Sequence, residues 1–271
     1  MKVGLFDSGI GGLTVLKELL KKTPYNCYIY IADTDRAPYG TKSLETLKRY
    51  ALEIVSFLLH KDVDFIVSAC NTIDSVINSF SSKLSVPYYS IIDAAVKDVK
   101  DERVAVLATE ATVKSGIYKE KLKNKSTVLQ KSAQLLVTMV EEGEFHNRIS
   151  EDLVKHYLKD IKKFKPDVLI LGCTHFSYFK DIVEKYLKKV KVIDPVEKLA
   201  NIVRKDLKDF EEISCVKFYV TGDVREFEKK LMKLIDMNVS YTLENVDLEK
   251  FKGMVKKFEG SFGGIGTFGS R

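Results

Sequence analysis

Short apolar runs alternate with amphipathic stretches along the whole chain. The amphipathic stretches at 13–20, 44–59 and 149–164 repeat their apolar residues at helical spacing. The apolar runs are continuous rather than alternating, which is typical of parallel strands that helices cover on both faces. The pattern therefore predicts an α/β fold with mostly parallel sheets. The predicted strands cover residues 3–6, 28–32, 65–69, 88–92, 104–108, 168–171, 191–193 and 217–220.

One strand pattern that ends in a cysteine occurs twice. The segment VDFIVSACNT at 63–72 has the same shape as PDVLILGCTH at 166–175. In each segment a cysteine, Cys70 or Cys173, stands six positions after an aspartate and is followed by polar residues. A cysteine after such a run is usually a packing residue, but its recurrence beside polar groups indicates a shared role.

A second repeated pattern, at nearly the same offset, indicates two similar halves. KVGLFDS near the N-terminus resembles RVAVLAT at 103–109, so both landmarks recur about 101–103 residues apart. We therefore predict two pseudo-symmetric α/β domains. The first comprises 1–95 together with 206–271, so that the C-terminal segment returns to the first half, and the second comprises 96–205.

The conspicuous polar residues directly follow the predicted strands. Ligands of open parallel sheets bind beyond the carboxyl ends of the strands. If the two sheets face each other across one cleft, Cys70 and Cys173 enter it from opposite sides. We therefore predict an active site between the domains. The polar residues at strand ends are Asp7, Ser8, Asp33, Cys70, Asn71, Thr72, Thr109, Cys173, Thr174 and His175.

Charge and hydropathy argue against two kinds of partner. The net charge is +6, from 44 Lys and Arg against 38 Asp and Glu. No basic tract alternates with aromatic residues, so we expect no nucleic-acid partner. No apolar run approaches the ~18 residues that a membrane span needs, and the N-terminus lacks the pattern of a signal peptide. We expect a cytoplasmic protein that binds no membrane.

The chain has four cysteines, which in the cytoplasm do not predict a disulfide framework. None of them has the spacing of a zinc site, so we expect no metal. Cys27 and Cys215 each precede an apolar strand, and we interpret them as small buried residues of strand packing. Cys70 and Cys173 differ because both stand where strands end.

The glycine-rich stretch DSGIGG at 7–12 partly matches a dinucleotide-binding fingerprint. It follows a strand and opens a helix, but the third glycine of the fingerprint is replaced by Thr14. The better-supported interpretation is a helix N-terminus whose free N–H groups hold a small anion such as a carboxylate.

Two cysteines that meet in a cleft fit one reaction better than others. A disulfide does not suit a reducing compartment, a metal site would need more ligands than His175, and a single nucleophile leaves one cysteine unexplained. Inversion of a carbon acid uses both thiols: a thiolate removes the α-proton and a thiol on the other face returns one. A free thiol has a pKa of about 8.5, so each needs help, for which Asp7 and His175 are the nearest groups.

At these residues the chain resembles the glutamate racemase family. The matching motifs are GLFDSGIGGLTVLKEL (4–19), ADTDRAPYG (32–40), ACNT (69–72), LGCTH (171–175) and TGD (221–223), over roughly residues 1–230. The resemblance implies a racemase that needs no cofactor and supplies D-glutamate for bacterial peptidoglycan. Related aspartate racemases usually carry another residue at the position of His175, which favours glutamate.

The resemblance also implies roles for individual residues. Cys70 and Cys173 would be the catalytic thiols, Asp7 would tune Cys70, and the His175–Glu141 pair would tune Cys173. The residues implied as substrate contacts are Asp7, Ser8, Tyr39, Gly40, Asn71, Thr72, Thr112, Thr174 and His175.

Some positions depart from the family pattern. The usual Cys-Pro is Ala133-Gln134, and Ile73-Asp74 stands where small residues are common. Phe176-Ser177 replaces a common Tyr-Pro, and Pro195-Val196 a Ser-Gly. None of these changes removes a residue implied in catalysis.

Other functions remain open at the level of sequence. One is a racemase for another amino acid or a hydantoin, which would use two thiols in the same way. A non-catalytic α/β protein that clamps a small acid and an NAD-dependent enzyme are further alternatives. A homodimer is the assembly we expect, and the Gly-rich segment 260–271 is predicted to be mobile.

Overall fold

The computed structural model describes residues 1–23, 26–100, 102–124, 126–207, 215–235 and 239–255. Strands and helices alternate along most of this part of the chain. The strands are β1 Lys2–Asp7, β2 Cys27–Ala32, β3 Phe65–Ser68, β4 Tyr88–Tyr89, β5 Arg103–Ala108, β6 Thr127–Ser132, β7 Val168–Gly172, β8 Lys191–Ile193, β9 Cys215–Val220 and β10 Ser240–Asn245. The helices are α1 Leu13–Lys22, α2 Leu44–His60, α3 Asn71–Ile77, α4 Ile91–Val96, α5 Glu110–Ser115, α6 Ile117–Leu122, α7 Gln134–Glu141, α8 Arg148–Phe164, α9 Lys180–Leu187, α10 Pro195–Asp206 and α11 Val224–Leu234.

The strands form two sheets, in which every pairing is parallel. The first has the order β10-β9-β2-β1-β3-β4 and the second the order β6-β5-β7-β8. The central strands β1, β3, β5 and β7 are buried along almost their whole length, as their continuous apolar sequences require. The predicted α/β fold with two mostly parallel sheets is confirmed.

The C-terminal segment adds two strands to the first sheet. β9 pairs with β2 and β10 pairs with β9, so chain from beyond residue 206 extends the sheet that the N-terminus begins. This pairing supports our proposed division into 1–95 plus 206–271 and 96–205. Helix α10 packs against α1 and α4, and one cluster of buried apolar side chains runs through both halves.

Three details differ from the predicted strands. β6 and β10 were not predicted, because both lie at a sheet edge where side chains are only partly buried. The run 88–92 is split: β4 ends at Tyr89, and the Ser90 side chain accepts a hydrogen bond from the Asp93 N–H and so begins α4.

The interpretation of Cys27 and Cys215 as separate packing residues was wrong. They stand opposite each other in the register of β2 and β9, with their Cα atoms 4.8 Å apart, and are joined by a disulfide. Both lie at the start of a strand and are only half-buried. The pairing escaped prediction because it depends on which strands are neighbours, and the local sequence does not contain that information.

Two further expectations concern the ends of the chain and the membrane. The segment 260–271, for which mobility was predicted, lies outside the described residues. Among the residues that are described, no helix is long and apolar enough to cross a membrane.

Candidate active site

The polar residues predicted at strand ends lie at the carboxyl ends of the two sheets. Cys70 follows β3 and caps α3, while Cys173 follows β7 and caps a short 3-10 helix, Thr174–Phe179. Both cysteines are free and buried, with 5% and 6% of their surface exposed. They are close enough for negative charge on Cys173 to contribute to the raised pKa of Cys70.

A chain of contacts links Cys173 to a carboxylate. Nδ1 of His175 lies 3.6 Å from the Cys173 sulfur, and Nε2 of the same ring lies 2.7 Å from Oε1 of Glu141. Burial alone would lower the pKa of His175, but the contacts with Cys173 and Glu141 outweigh burial and raise the pKa well above its usual range. The positive charge of a protonated His175 therefore lies beside the Cys173 sulfur.

Cys70 has a different electrostatic environment. Burial and the nearby Asp7 carboxylate raise the pKa of the Cys70 thiol well above its ordinary value, while the N–H groups of Ile73 and Ser8 act in the opposite direction. Asp7 therefore disfavours a thiolate at Cys70 through its charge. It can assist this cysteine only by accepting its proton.

Asp7 is itself fully buried beneath the loop that follows β1. Gly9 donates its N–H to Oδ1 of Asp7 at 2.9 Å, and Oδ2 has no hydrogen-bond partner in the described part of the chain. Burial raises the pKa of Asp7, against the charge of His175 and the N–H groups of Gly9 and Gly12. The anion held by this loop is thus a side chain of the protein, and the binding of an external anion there stays a prediction.

The glycines of DSGIGG allow the two halves to approach closely. A Cβ atom at Gly9 would lie 2.8 Å from Oε1 of Glu141, and one at Gly11 would lie 2.5 Å from Nδ1 of His175. Real Cβ atoms do not approach so near. Since Glu141 and His175 belong to the second half, the glycines are explained by contact between the halves rather than by a dinucleotide.

Hydroxyl groups from both halves meet beside the cysteines. Oγ1 of Thr72 lies 2.9 Å from Oγ1 of Thr109, which lies 2.8 Å from Oγ1 of Thr112. The Tyr118 hydroxyl donates to Oδ1 of Asn71 at 2.6 Å, and Nδ2 of Asn71 is buried without a partner among the described residues. The sequence motifs indicated Thr72, Thr112 and Asn71, whereas Tyr118 gave no signal.

The remaining predicted contacts differ in what their side chains touch. Ser8 and Thr174 are buried near the cleft, 7% and 2% exposed. The Tyr39 hydroxyl donates to Asp33, and the side chain also packs in the same buried cluster as Cys70. At Gly40 a Cβ atom would collide with the amide oxygen of Gln134, which explains why a glycine stands there.

Asp33 belongs to a structural network. Its carboxylate binds Arg36, with Nη2 to Oδ2 at 2.7 Å, and accepts from the Thr221 hydroxyl at 2.9 Å. Arg36 also pairs with the buried Glu53. This network ties the loop after β2 to the end of β9, which leaves Asp33 no role as the ribose-binding acid of a dinucleotide site.

A cavity of about 390 Å³ opens beside this site. Its wall includes Ser8 and Gly9 from the first half, Glu141 from the second, and Lys230 from α11. Neither cysteine lines it, so the cavity lies outside the thiols and next to the Glu141–His175 pair. Within the described ranges, no group of three or more His, Cys, Asp or Glu residues could hold a metal ion.

Known proteins resemble this chain in both sequence and fold. The sequence model of the family described as Asp/Glu/Hydantoin racemase matches residues 13–203. A glutamate racemase of Aquifex aeolicus is 41% identical over 244 residues, covering 87% of this chain and 94% of that protein. One of Persephonella marina is 37% identical over 257 residues, covering 92% and 98%. The crystal structure of Francisella tularensis glutamate racemase in complex with D-glutamate has a TM-score of 0.84 at 33% identity, covering 92% of this chain and 98% of that one.

Proposed function

The chain belongs to the Asp/Glu/Hydantoin racemase family and racemises glutamate, and we propose that Cys70 and Cys173 carry the reaction as two opposed bases. The observation that supports this mechanism most directly is the position of the thiols. One free cysteine follows a central strand of each sheet, and the two are close enough for charge on Cys173 to contribute to the raised pKa of Cys70.

In the direction from L- to D-glutamate, the Cys173 thiolate removes the α-proton. The pair of electrons left on the α-carbon then takes a proton from the thiol of Cys70 on the other face. At the end Cys173 is a thiol and Cys70 a thiolate, and the reverse reaction begins from that state. The raised pKa of Cys70 keeps its proton available as an acid, and protonated His175 keeps Cys173 ready as a base.

The recovery of the starting state involves the carboxylate and the imidazole. Asp7, with one oxygen unpartnered within the described chain, accepts the proton of Cys70 when that residue must act as the base. After His175 has released its own proton to solvent, the neutral imidazole accepts the proton of the Cys173 thiol at Nδ1, which restores a thiolate beside a protonated His175, while Glu141 holds the imidazole through Nε2.

The substrate is held by polar groups around the thiols. We assign the carboxylates and the amine of glutamate to Ser8, Asn71, Thr72, Thr112 and Thr174, with the backbone at Tyr39 and Gly40. The amide nitrogen of Asn71 supports this assignment, because it is a buried donor that finds no acceptor within the described ranges of the chain. Such prearranged donors stabilise the negative charge that develops at the α-carbon, and the proposal involves no cofactor.

The biological role follows from the reaction. We propose that the D-glutamate formed supplies peptidoglycan synthesis, the role implied by the family. The cytoplasmic location and the homodimer stay predictions from the sequence.

Circular dichroism at a fixed wavelength tests the function. Purified protein is mixed with L-glutamate in the presence of a chelator, without pyridoxal phosphate. We expect the signal to decay to zero as the two enantiomers become equal. A decay that requires added pyridoxal phosphate or metal would overturn the mechanism, and decay with aspartate at a similar rate would replace glutamate by a broader substrate class.

A further inference from the structure

Lys230 lies on α11 in the C-terminal segment, and its side chain reaches a residue of the second half. Its ammonium nitrogen is 3.6 Å from Oε2 of Glu141 and 3.1 Å from Oε1 of Glu226, one turn earlier on the same helix. The Lys230 side chain is 31% exposed, so this contact stands at the mouth of the cleft. No sequence motif indicated this lysine.

The carboxylate of Glu141 is held from three parts of the chain. Oε1 lies 2.7 Å from Nε2 of His175, which follows β7 in the same half. The N–H of Ile10, in the glycine-rich loop of the first half, donates to the carboxylate. Lys230 holds the other oxygen from the C-terminal segment. The orientation of Glu141 toward His175 therefore depends on elements outside its own half.

We propose that Lys230 is a positioning residue, which holds the Glu141 carboxylate against His175 and so favours the thiolate form of Cys173. The proposal rests on the function above, in which Cys173 is one of the two bases. In this proposal Lys230 acts through Glu141.

The charges along this line alternate in sign. Lys230 is positive, Glu141 negative, His175 positive and the Cys173 thiolate negative, so each stabilises its neighbour. Removal of the ammonium takes a positive charge away from the thiolate and frees Glu141 to turn from His175. Both effects reduce the thiolate fraction of Cys173.

The charged groups around Glu141 and Lys230 are consistent with the positioning role of Lys230. Burial raises the pKa of Glu141, but His175 and Lys230 together outweigh burial and lower it. The other charged groups that face Lys230 are Glu226 on α11 and Glu142 beside Glu141, and both are acidic. Cys70 makes none of these contacts: burial and the charge of Asp7 act on it most strongly, and charge on Cys173 contributes less.

Alkylation rates of the two free cysteines test the proposal without turnover. The native protein and a Lys230→Met variant are treated with iodoacetamide at neutral pH, and each cysteine is followed by mass spectrometry of its peptide. We expect Cys173 in the variant to react about 2- to 5-fold more slowly, the effect of one partly exposed ion pair. The rate at Cys70 should stay within about 2-fold, because such a pair acts locally.

Two further variants separate positioning from loosening of the helix. Lys230→Arg keeps the charge and the donors, and should restore at least half of the lost rate at Cys173. Lys229→Met removes the neighbouring exposed lysine of α11 and should leave both rates unchanged. Equal slowing at both cysteines, no slowing at Cys173, or the same effect from Lys229→Met would overturn the proposal.

The alkylation experiment and the racemisation assay can fail independently of each other. If Cys173 alone slows in Lys230→Met while the native protein does not racemise glutamate, the positioning role stands and the function fails. If the native protein racemises glutamate and the alkylation rate of Cys173 does not change in Lys230→Met, the function stands and the positioning role fails.

Discussion

At the scale of single residues, the surroundings of the two thiols differ, and in the proposed mechanism this difference prepares them for opposite tasks. Cys173 faces a histidine whose pKa is raised, so a positive charge lies beside its sulfur. Cys70 is buried beside a carboxylate, which raises the pKa of its thiol. Under the proposed mechanism, this state suits L-glutamate, with a base on one face and an acid on the other.

Replacement of Asp7 by Asn should separate thiol ionisation from catalysis. The variant lacks the negative charge that disfavours the Cys70 thiolate, so the pKa of Cys70 should fall and its alkylation by iodoacetamide should become faster. The variant also lacks the proton acceptor, so racemisation should fall by at least ~100-fold, as expected for loss of a general base. Paired alkylation and circular dichroism assays measure both quantities. Slower alkylation together with slower turnover would contradict the proton-acceptor role.

At the scale of elements, a buried carboxylate fixes helix α3, which carries Asn71 and Thr72, to the start of α4. Asp74 accepts hydrogen bonds from the Tyr88 hydroxyl at 2.5 Å, the Ser90 hydroxyl at 2.6 Å and the Ile92 N–H at 3.0 Å. Burial nevertheless prevails over these donors and raises the pKa of Asp74 to about 6. The hydrogen-bonded link between α3 and α4 therefore stabilises the folded state most when Asp74 is protonated.

This raised pKa predicts a pH dependence of stability. Because the folded state holds the proton more tightly, the contribution of Asp74 is fully present below its ordinary pKa of 3.8 and is lost as the pH rises through about 6. The free energy of unfolding of the native protein, relative to Asp74→Asn, should fall by about 3 kcal/mol between about pH 3 and pH 7, because the pKa shift is about two units at about 1.4 kcal/mol per unit. Urea unfolding of both proteins across this range measures the difference. A difference that does not change with pH would contradict the prediction.

The disulfide between β2 and β9 gives a second prediction at this scale. It closes a separation of 188 residues, so the double variant Cys27→Ala/Cys215→Ala should lose stability relative to the oxidised native protein. We expect a loss of about 2–4 kcal/mol in denaturant unfolding. The loss should largely disappear when dithiothreitol reduces the native protein. Racemisation should be unaffected, because both cysteines lie at the starts of strands whose far ends face the cleft. A folded double variant that is inactive would show that the site assignment is incomplete.

The same elements show how far sequence predicts this molecule. Central strands such as β3 and β7 are buried on both faces, and their continuous apolar runs located the strands and the cysteines that follow them. The edge strands β6 and β10 lack such runs because solvent covers part of their side chains. The Cys27–Cys215 pairing and the reach of Lys230 to Glu141 depend on long-range neighbours. A half-buried cysteine or a lysine on a helix face carries no local sign of such a contact.

At the scale of the whole molecule, each half contributes one free cysteine, which the proposal makes a base, and each half packs against the residues around the cysteine of the other. The glycine-rich loop of the first half lies directly against Glu141 and His175 of the second, and Thr72 of the first half meets Thr109 of the second. The two thiols can therefore stand on opposite faces of one α-carbon only while the halves are packed together. Proton transfer on one face, however, needs only the thiol of that face and a bound substrate.

Hydrogen exchange in deuterated water should reveal these separate faces. In Cys173→Ala the remaining Cys70 can remove and return a proton on its own side, so D-glutamate should exchange its α-hydrogen with retention of configuration while L-glutamate does not. Cys70→Ala should show the opposite preference. Neither variant should interconvert the enantiomers at more than about 1% of the native rate, since an essential acid or base is missing.

Mass spectrometry of the recovered glutamate, with chiral separation, measures exchange and inversion in one sample. The exchange itself should be slower than native turnover, because the loss of one thiol disturbs the position of the substrate and the charge around the other thiol. The direction of the preference is the decisive result. Equal exchange of both enantiomers in one variant would indicate a single base that reaches both faces, and near-native racemisation by either variant would exclude the mechanism of two opposed thiols.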